Sequence, residues 1–127
     1  MSTRRILIVD DEDDIREVAQ VSLELVGQWE VMTAASGRDG IERARRAQPD
    51  AILLDVMMPD MDGPTTLAQL QADPQTRDIP VLFLTAKAQS ADRTRLAQLG
   101  AAGVLTKPFD PLKLAADVAA TLAWPAA

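Results

Sequence analysis

Four short, almost uninterrupted apolar runs restrict this chain to a narrow set of folds. They are Ile6-Leu7-Ile8-Val9, Ala51-Ile52-Leu53-Leu54, Val81-Leu82-Phe83-Leu84 and Gly103-Val104-Leu105. Each is too short for a helix, and none alternates apolar with polar residues. That pattern predicts strands covered on both faces, as in a parallel sheet. A fifth run, Trp29 to Ala34, mixes polar and apolar residues and predicts an edge strand.

Helical spacing fills the gaps. Ile15, Val18, Ala19, Ser22 and Val26 recur at about 3.6 residues, predicting one inward face, with Gly27 as the stop. Ser36 is a candidate cap for a second helix carrying Ile41, Ala44 and Ala47 up to Pro49. Asp62 caps a third through Leu67 and Leu70, where Gly63 and Pro64 suit a helix start. A fourth begins near Ser90, turns Leu96 and Leu99 inward and ends at Gly100. Asp110-Pro111 reads as the cap and first position of a fifth, with Leu114, Ala115, Val118 and Leu122 inward. Strand then helix, five times over, predicts an α/β fold: a five-stranded parallel sheet, doubly wound, with helices on both faces. The 127 residues show no linker or repeat and suit one domain over 1–127, with Pro125-Ala126-Ala127 as a short tail.

Composition removes whole classes of chemistry. There is no His and no Cys, so neither a Ser-His-Asp nor a Cys-His arrangement can exist, and the chain cannot donate a phosphohistidine. Any metal must be held by oxygen, which favours hard cations. A net charge of −6 disfavours nucleic-acid binding, and Arg43, Arg45 and Arg46 read as a solvated helix face. No apolar stretch approaches the roughly 18 residues of a membrane span, and no signal peptide is evident. A cytoplasmic protein with no membrane or nucleic-acid partner is the expectation.

Polar residues follow the apolar runs directly. Asp10 and Asp11 follow Val9, Asp55 follows Leu54, Thr85 follows Leu84, and Thr106 and Lys107 follow Leu105. Ligands of open α/β sheets bind outside the carboxyl ends of the strands. Three carboxylates, a hydroxyl and an ammonium should therefore converge there. Crowded carboxylates need positive charge, which Lys107 and a Mg²⁺ would supply. A carboxylate beside such cations can accept a phosphoryl group. Glu12, Asp13 and Asp14 are assigned instead to the favourable field of a helix N-terminus. Met57, Met58 and Met61 are expected to pack.

Taken together, Val9-Asp10-Asp11, the stretch Leu53 to Gly63, Leu84-Thr85-Ala86 and Lys107-Pro108-Phe109 resemble the response-regulator receiver domain of two-component signalling. The match runs from about Arg5 to Leu122. The resemblance implies a flavodoxin-like (βα)5 sheet in strand order 2-1-3-4-5. It implies Asp55 as phosphoacceptor, with Lys107 and Thr85 engaging the phosphoryl group. It implies Mg²⁺ (or Mn²⁺) held by Asp10, Asp11, Asp55 and the main-chain carbonyl of Met57. A cis Lys107-Pro108 bond follows too. The donor would be a sensor histidine kinase or a histidine phosphotransfer protein. The output would be a protein target docking on the fourth helix, fifth strand and fifth helix. Met57 and Lys87 occupy positions that tune dephosphorylation and imply a moderate phosphoryl lifetime. Val104 stands where many members carry Tyr or Phe, so the usual aromatic switch is missing.

The chain is thus expected to be a phosphorylation-dependent switch, not a turnover enzyme, standing alone or as a piece of a larger regulator. An aspartyl-phosphate phosphatase would need an acid where Met57 stands. A phosphorylation-independent interaction module would have lost the acids or the Lys, and all are present.

Overall fold

The computed structural model describes residues 3–86 and 89–124. Five strands, β1 (Arg5–Val9), β2 (Glu30–Ala34), β3 (Ala51–Asp55), β4 (Val81–Thr85) and β5 (Gly103–Thr106), form one parallel sheet in the order β2-β1-β3-β4-β5. Helices α1 (Asp13–Leu25), α2 (Gly37–Ala47), α3 (Gly63–Ala72), α4 (Ser90–Ala97) and α5 (Leu114–Leu122) follow the strands in turn. Among the described residues no helix is long and apolar enough to cross a membrane.

The continuous apolar runs have a simple origin. Successive side chains of a strand point to opposite faces, so a strand covered twice must be apolar at every position. Leu7, Val9, Ile52, Leu54 and Phe83 pack with Ile41 and Ala44 of α2, Leu67 and Leu70 of α3 and Leu96 of α4. Their neighbours Ile6, Ile8, Leu53, Leu82 and Leu84 pack on the other face with Ala19 and Leu23 of α1 and Leu114, Ala115 and Val118 of α5. β5 departs from the expectation of double cover. It is the second edge strand and only half-buried along its length.

The caps of α2 and α3 are those expected: Ser36 accepts from the Asp39 N–H at 3.1 Å and Asp62 from the Thr65 N–H at 2.8 Å. Four other expectations are corrected. Val18 and Val26 are not inward; Val18 is 44% exposed, and Leu23 is the residue that α1 buries. Leu99 likewise faces solvent beyond the end of α4, where Gly100 takes a positive φ. α5 starts at Leu114, because Asp110 closes a turn instead, its carboxylate accepting from the Leu112 N–H and its carbonyl from Lys113 and Leu114. Gly27 does not supply the left-handed residue after α1; Gln28 does, at φ 59°. A Cβ at Gly27 would lie 2.8 Å from the Leu23 carbonyl and 3.1 Å from the Ala115 Cβ, so close packing on α5 is its reason.

The corrected face of α1 makes a direct prediction. Leu23→Ala should cost roughly 2–5 kcal/mol in urea denaturation, whereas Val18→Ala should change stability by about 0.5 kcal/mol or less. Equal losses would mean that the helix is rotated from the face described.

Candidate functional site

Sheet register carries the polar residues to one place. Val9 pairs with Leu54, so Asp10 and Asp55 stand level at the ends of β1 and β3. Asp55 pairs with Leu84, and Thr85 with Thr106, so Thr85 and then Lys107 follow in order. The Lys107 N–H donates to the Thr85 carbonyl at 2.7 Å, and the Lys107-Pro108 bond is cis. Thr85 is buried as the last residue of β4.

The loop after β3 is fixed by close approach. Gly63 donates its N–H to the Val56 carbonyl at 2.9 Å, and a Cβ there would lie 2.5 Å from the Asp55 carbonyl oxygen. Gly63 thus lets α3 start directly against the backbone of Asp55. Met58 and Met61 anchor this loop in the core as expected, but the Met57 side chain is 66% exposed and does not pack. Lys87 lies outside the described residues.

The Lys107 ammonium is the centre of the site. It lies 3.1 Å from Asp10 Oδ2 and 3.2 Å from both Asp55 Oδ1 and Glu12 Oε1. Asp10, Asp11 and Asp55 each bring a carboxylate oxygen within 4.8 Å of the others. Three buried oxygens lack hydrogen-bond partners among the described residues: Asp10 Oδ2, Asp11 Oδ1 and Asp55 Oδ2. Asp10 and Asp55 share the charge of Lys107, through Oδ2 and Oδ1 respectively; the Asp11 carboxylate has no ion pair among the described residues. Buried carboxylate oxygens are costly in that state. An all-oxygen set of this kind fits a hard divalent cation such as Mg²⁺.

Charge and burial shift the two central groups. Burial, then the neighbouring charge of Asp10, raises the Asp55 carboxyl from 3.8 to about 6, against the opposing pull of Lys107. Burial alone would lower the Lys107 ammonium; contacts with Asp10 and then Asp55 outweigh it and hold Lys107 above its ordinary value.

The structure gathers the three aspartates, Thr85 and Lys107, as the sequence anticipates, and adds Glu12. The Glu12 N–H donates to Asp10 Oδ1 at 2.9 Å, a turn that folds Glu12 back toward Lys107. Its assignment to the helix field alone is corrected here. Asp13 fits that assignment better, with a surface ion pair to Arg16. The basic residues of α2 are solvated as expected: Arg45 pairs with Asp73, and Arg46 with Glu42.

Comparison with known families adds the deciding observation: the model of the response regulator receiver domain matches residues 6–119. The chain belongs to this family. Receiver domains are signalling domains of two-component response regulators, and they generally bind Mg²⁺ in an acidic pocket. Among curated relatives, the DNA-binding dual master transcriptional regulator RpaA of Synechocystis is 43% identical over 118 residues, covering 93% of this chain and 48% of the relative. The alkaline phosphatase synthesis transcriptional regulatory protein PhoP of Bacillus subtilis is 40% identical, covering 94% and 48%. This receiver chain therefore spans about half the length of those relatives. A solved structure of a chemotaxis response regulator from Vibrio cholerae superposes with a TM-score of 0.87 at 32% identity, covering 94% of this chain and 99% of that one.

The raised Asp55 carboxyl sets a pH dependence. A raised acid adds stability in full below its unfolded value of 3.8, and that stability is lost as pH rises through about 6. In EDTA at pH 7.5, Asp55→Asn should therefore be more stable than wild type by an amount on the order of 1–2 kcal/mol. The gain should vanish below about pH 4. A gain independent of pH in denaturant titrations would contradict the assigned origin.

Proposed function

We propose that this receiver accepts a phosphoryl group on Asp55 and signals through a protein-binding face. The observation that carries the reading is the cluster of three aspartates, two of them paired with one ammonium, with carboxylate oxygens left without hydrogen-bond partners among the described residues. Asp10 and Asp11 would hold a Mg²⁺ or Mn²⁺, with Asp55 and the main-chain carbonyl of Met57 completing the protein ligands. When bound, the cation neutralises carboxylate charge and stabilises the oxygens of the transferring group.

The residues divide the remaining work. With its carboxyl at about 6, Asp55 is mostly ionised at neutral pH. One Asp55 oxygen attacks phosphorus; the new O–P bond forms as the donor's N–P bond breaks, and the departing imidazole keeps the electron pair and takes a proton. Lys107 pairs with a phosphoryl oxygen, and the Thr85 hydroxyl donates to another. Membership of the receiver family points to a phosphohistidine on a sensor kinase or phosphotransfer protein as the donor; the chain has no His of its own to serve.

Output runs through α4, β5 and α5. Val104 is half-buried on β5 and packs against the cluster containing Phe83 and Leu96. A small aliphatic side chain there cannot make the inward swing of an aromatic ring, so the response rests on Thr85 and α4. The chain acts once per phosphorylation and resets by hydrolysis, as a switch and not a turnover enzyme, in the cytoplasm.

Incubation with acetyl phosphate and Mg²⁺ should add one phosphoryl group by intact mass, lost on Asp55→Asn and with EDTA. Labelling that survives Asp55→Asn would place the acceptor elsewhere. Val104→Tyr should leave this labelling unchanged but alter affinity for an identified target. Equal affinities of the two phosphorylated proteins, measured by calorimetry, would argue against β5 as the output strand.

A further inference from the structure

Glu12 occupies an unusual position for a carboxylate. It is the N-cap of α1, where a side-chain oxygen commonly accepts from the first turn, yet its side chain makes no capping hydrogen bond. It turns instead to Lys107, with Oε1 3.2 Å from the ammonium. The other two partners of Lys107, Asp10 and Asp55, both belong to the group of three carboxylates suited to a cation; Glu12 does not. Its side chain is 60% exposed, while that of Lys107 is largely buried.

This difference matters when a cation arrives. A divalent ion among Asp10, Asp11 and Asp55 draws on the same carboxylates that hold Lys107, and it repels the ammonium. Two of the three anchors of Lys107 are weakened together. The third is untouched.

We infer that Glu12 is a positioning residue: it keeps the Lys107 ammonium at the mouth of the site while a metal occupies the aspartates, so that the ammonium is in place for the incoming phosphoryl group. The inference rests on the reading of Asp55 as phosphoacceptor. Glu12 touches neither the metal nor phosphorus in this account and acts only through Lys107. Its neighbours define the balance it works within. Arg16 is committed to the Asp10 carbonyl at 2.8 Å and to Asp13, so Lys107 is the cation it meets.

The test compares Glu12→Ala and Glu12→Gln in the full chain. Glutamine keeps an oxygen acceptor for the ammonium; alanine removes it. At saturating Mg²⁺ and acetyl phosphate, Glu12→Ala should label about three- to tenfold more slowly, the loss of one charge-assisted hydrogen bond partly screened by solvent. Glu12→Gln should recover most of the rate, and the Mg²⁺ concentration for half-maximal labelling should change less than about twofold. Equal or faster labelling by both variants would overturn the inference and leave Glu12 as a field charge only. The second readout is the ¹⁵N signal of the Lys107 ammonium. It should stay protected from solvent exchange on Mg²⁺ addition in wild type and lose protection in Glu12→Ala. If wild type takes no phosphoryl group at all, the reading of Asp55 fails, and the ammonium signal alone decides the role of Glu12: unchanged protection in Glu12→Ala overturns it.

Discussion

One ammonium among carboxylates organises this molecule's functional end. Lys107 brings a single positive charge to within about 3 Å of Asp10, Asp55 and Glu12, and it cannot satisfy them all. Attraction at such distances is strong where water is scarce, but so is the repulsion among carboxylates it leaves uncancelled. The outcome is a folded site that carries excess negative charge and unpaired oxygens. That imbalance suits the site to a divalent cation and, in the function proposed, to a phosphoryl group. Crowded carboxylates cost stability, and the two apolar layers around the sheet offset that cost.

The architecture explains why the charges meet. A parallel sheet points every strand the same way, so the residues that end β1, β3, β4 and β5 arrive at one rim. The crossover helices turn away on both faces, and Gly63 lets α3 begin hard against Asp55. Chemistry and scaffold are separated along each of these strands: three or four apolar residues fix the position, and the next one or two are polar.

Much of this was legible in the sequence because it depends on short-range order. The runs ending at Val9, Leu54 and Leu84 are uninterrupted, and double burial leaves no other reading of their pattern. Caps such as Ser36 and Asp62 follow from local hydrogen bonding. The failures share a different cause. Val18 and Leu23 sit on one amphipathic helix, and spacing alone allowed two overlapping apolar faces; packing against Ala115 and Val118 of a distant helix chose between them. Asp110-Pro111 carries a helix-start signal that a turn uses equally well. Glu12 is indistinguishable in type from Asp13, and only the bond from its N–H to Asp10 directs it to a lysine 95 residues away in the chain. β5 has the composition of a buried strand, but its place at the sheet edge leaves it half-covered.

The central claim is that the three aspartates are left short of positive charge and form a divalent-cation site. Calorimetric titration of Mg²⁺ into wild type and Asp11→Asn at pH 7.5 tests it most directly. The account predicts saturable one-to-one binding to wild type, with affinity lowered by about an order of magnitude or more in Asp11→Asn, where a half-buried carboxylate with an unpaired oxygen becomes a neutral amide. Binding of equal strength to both proteins, or none to wild type, would contradict it.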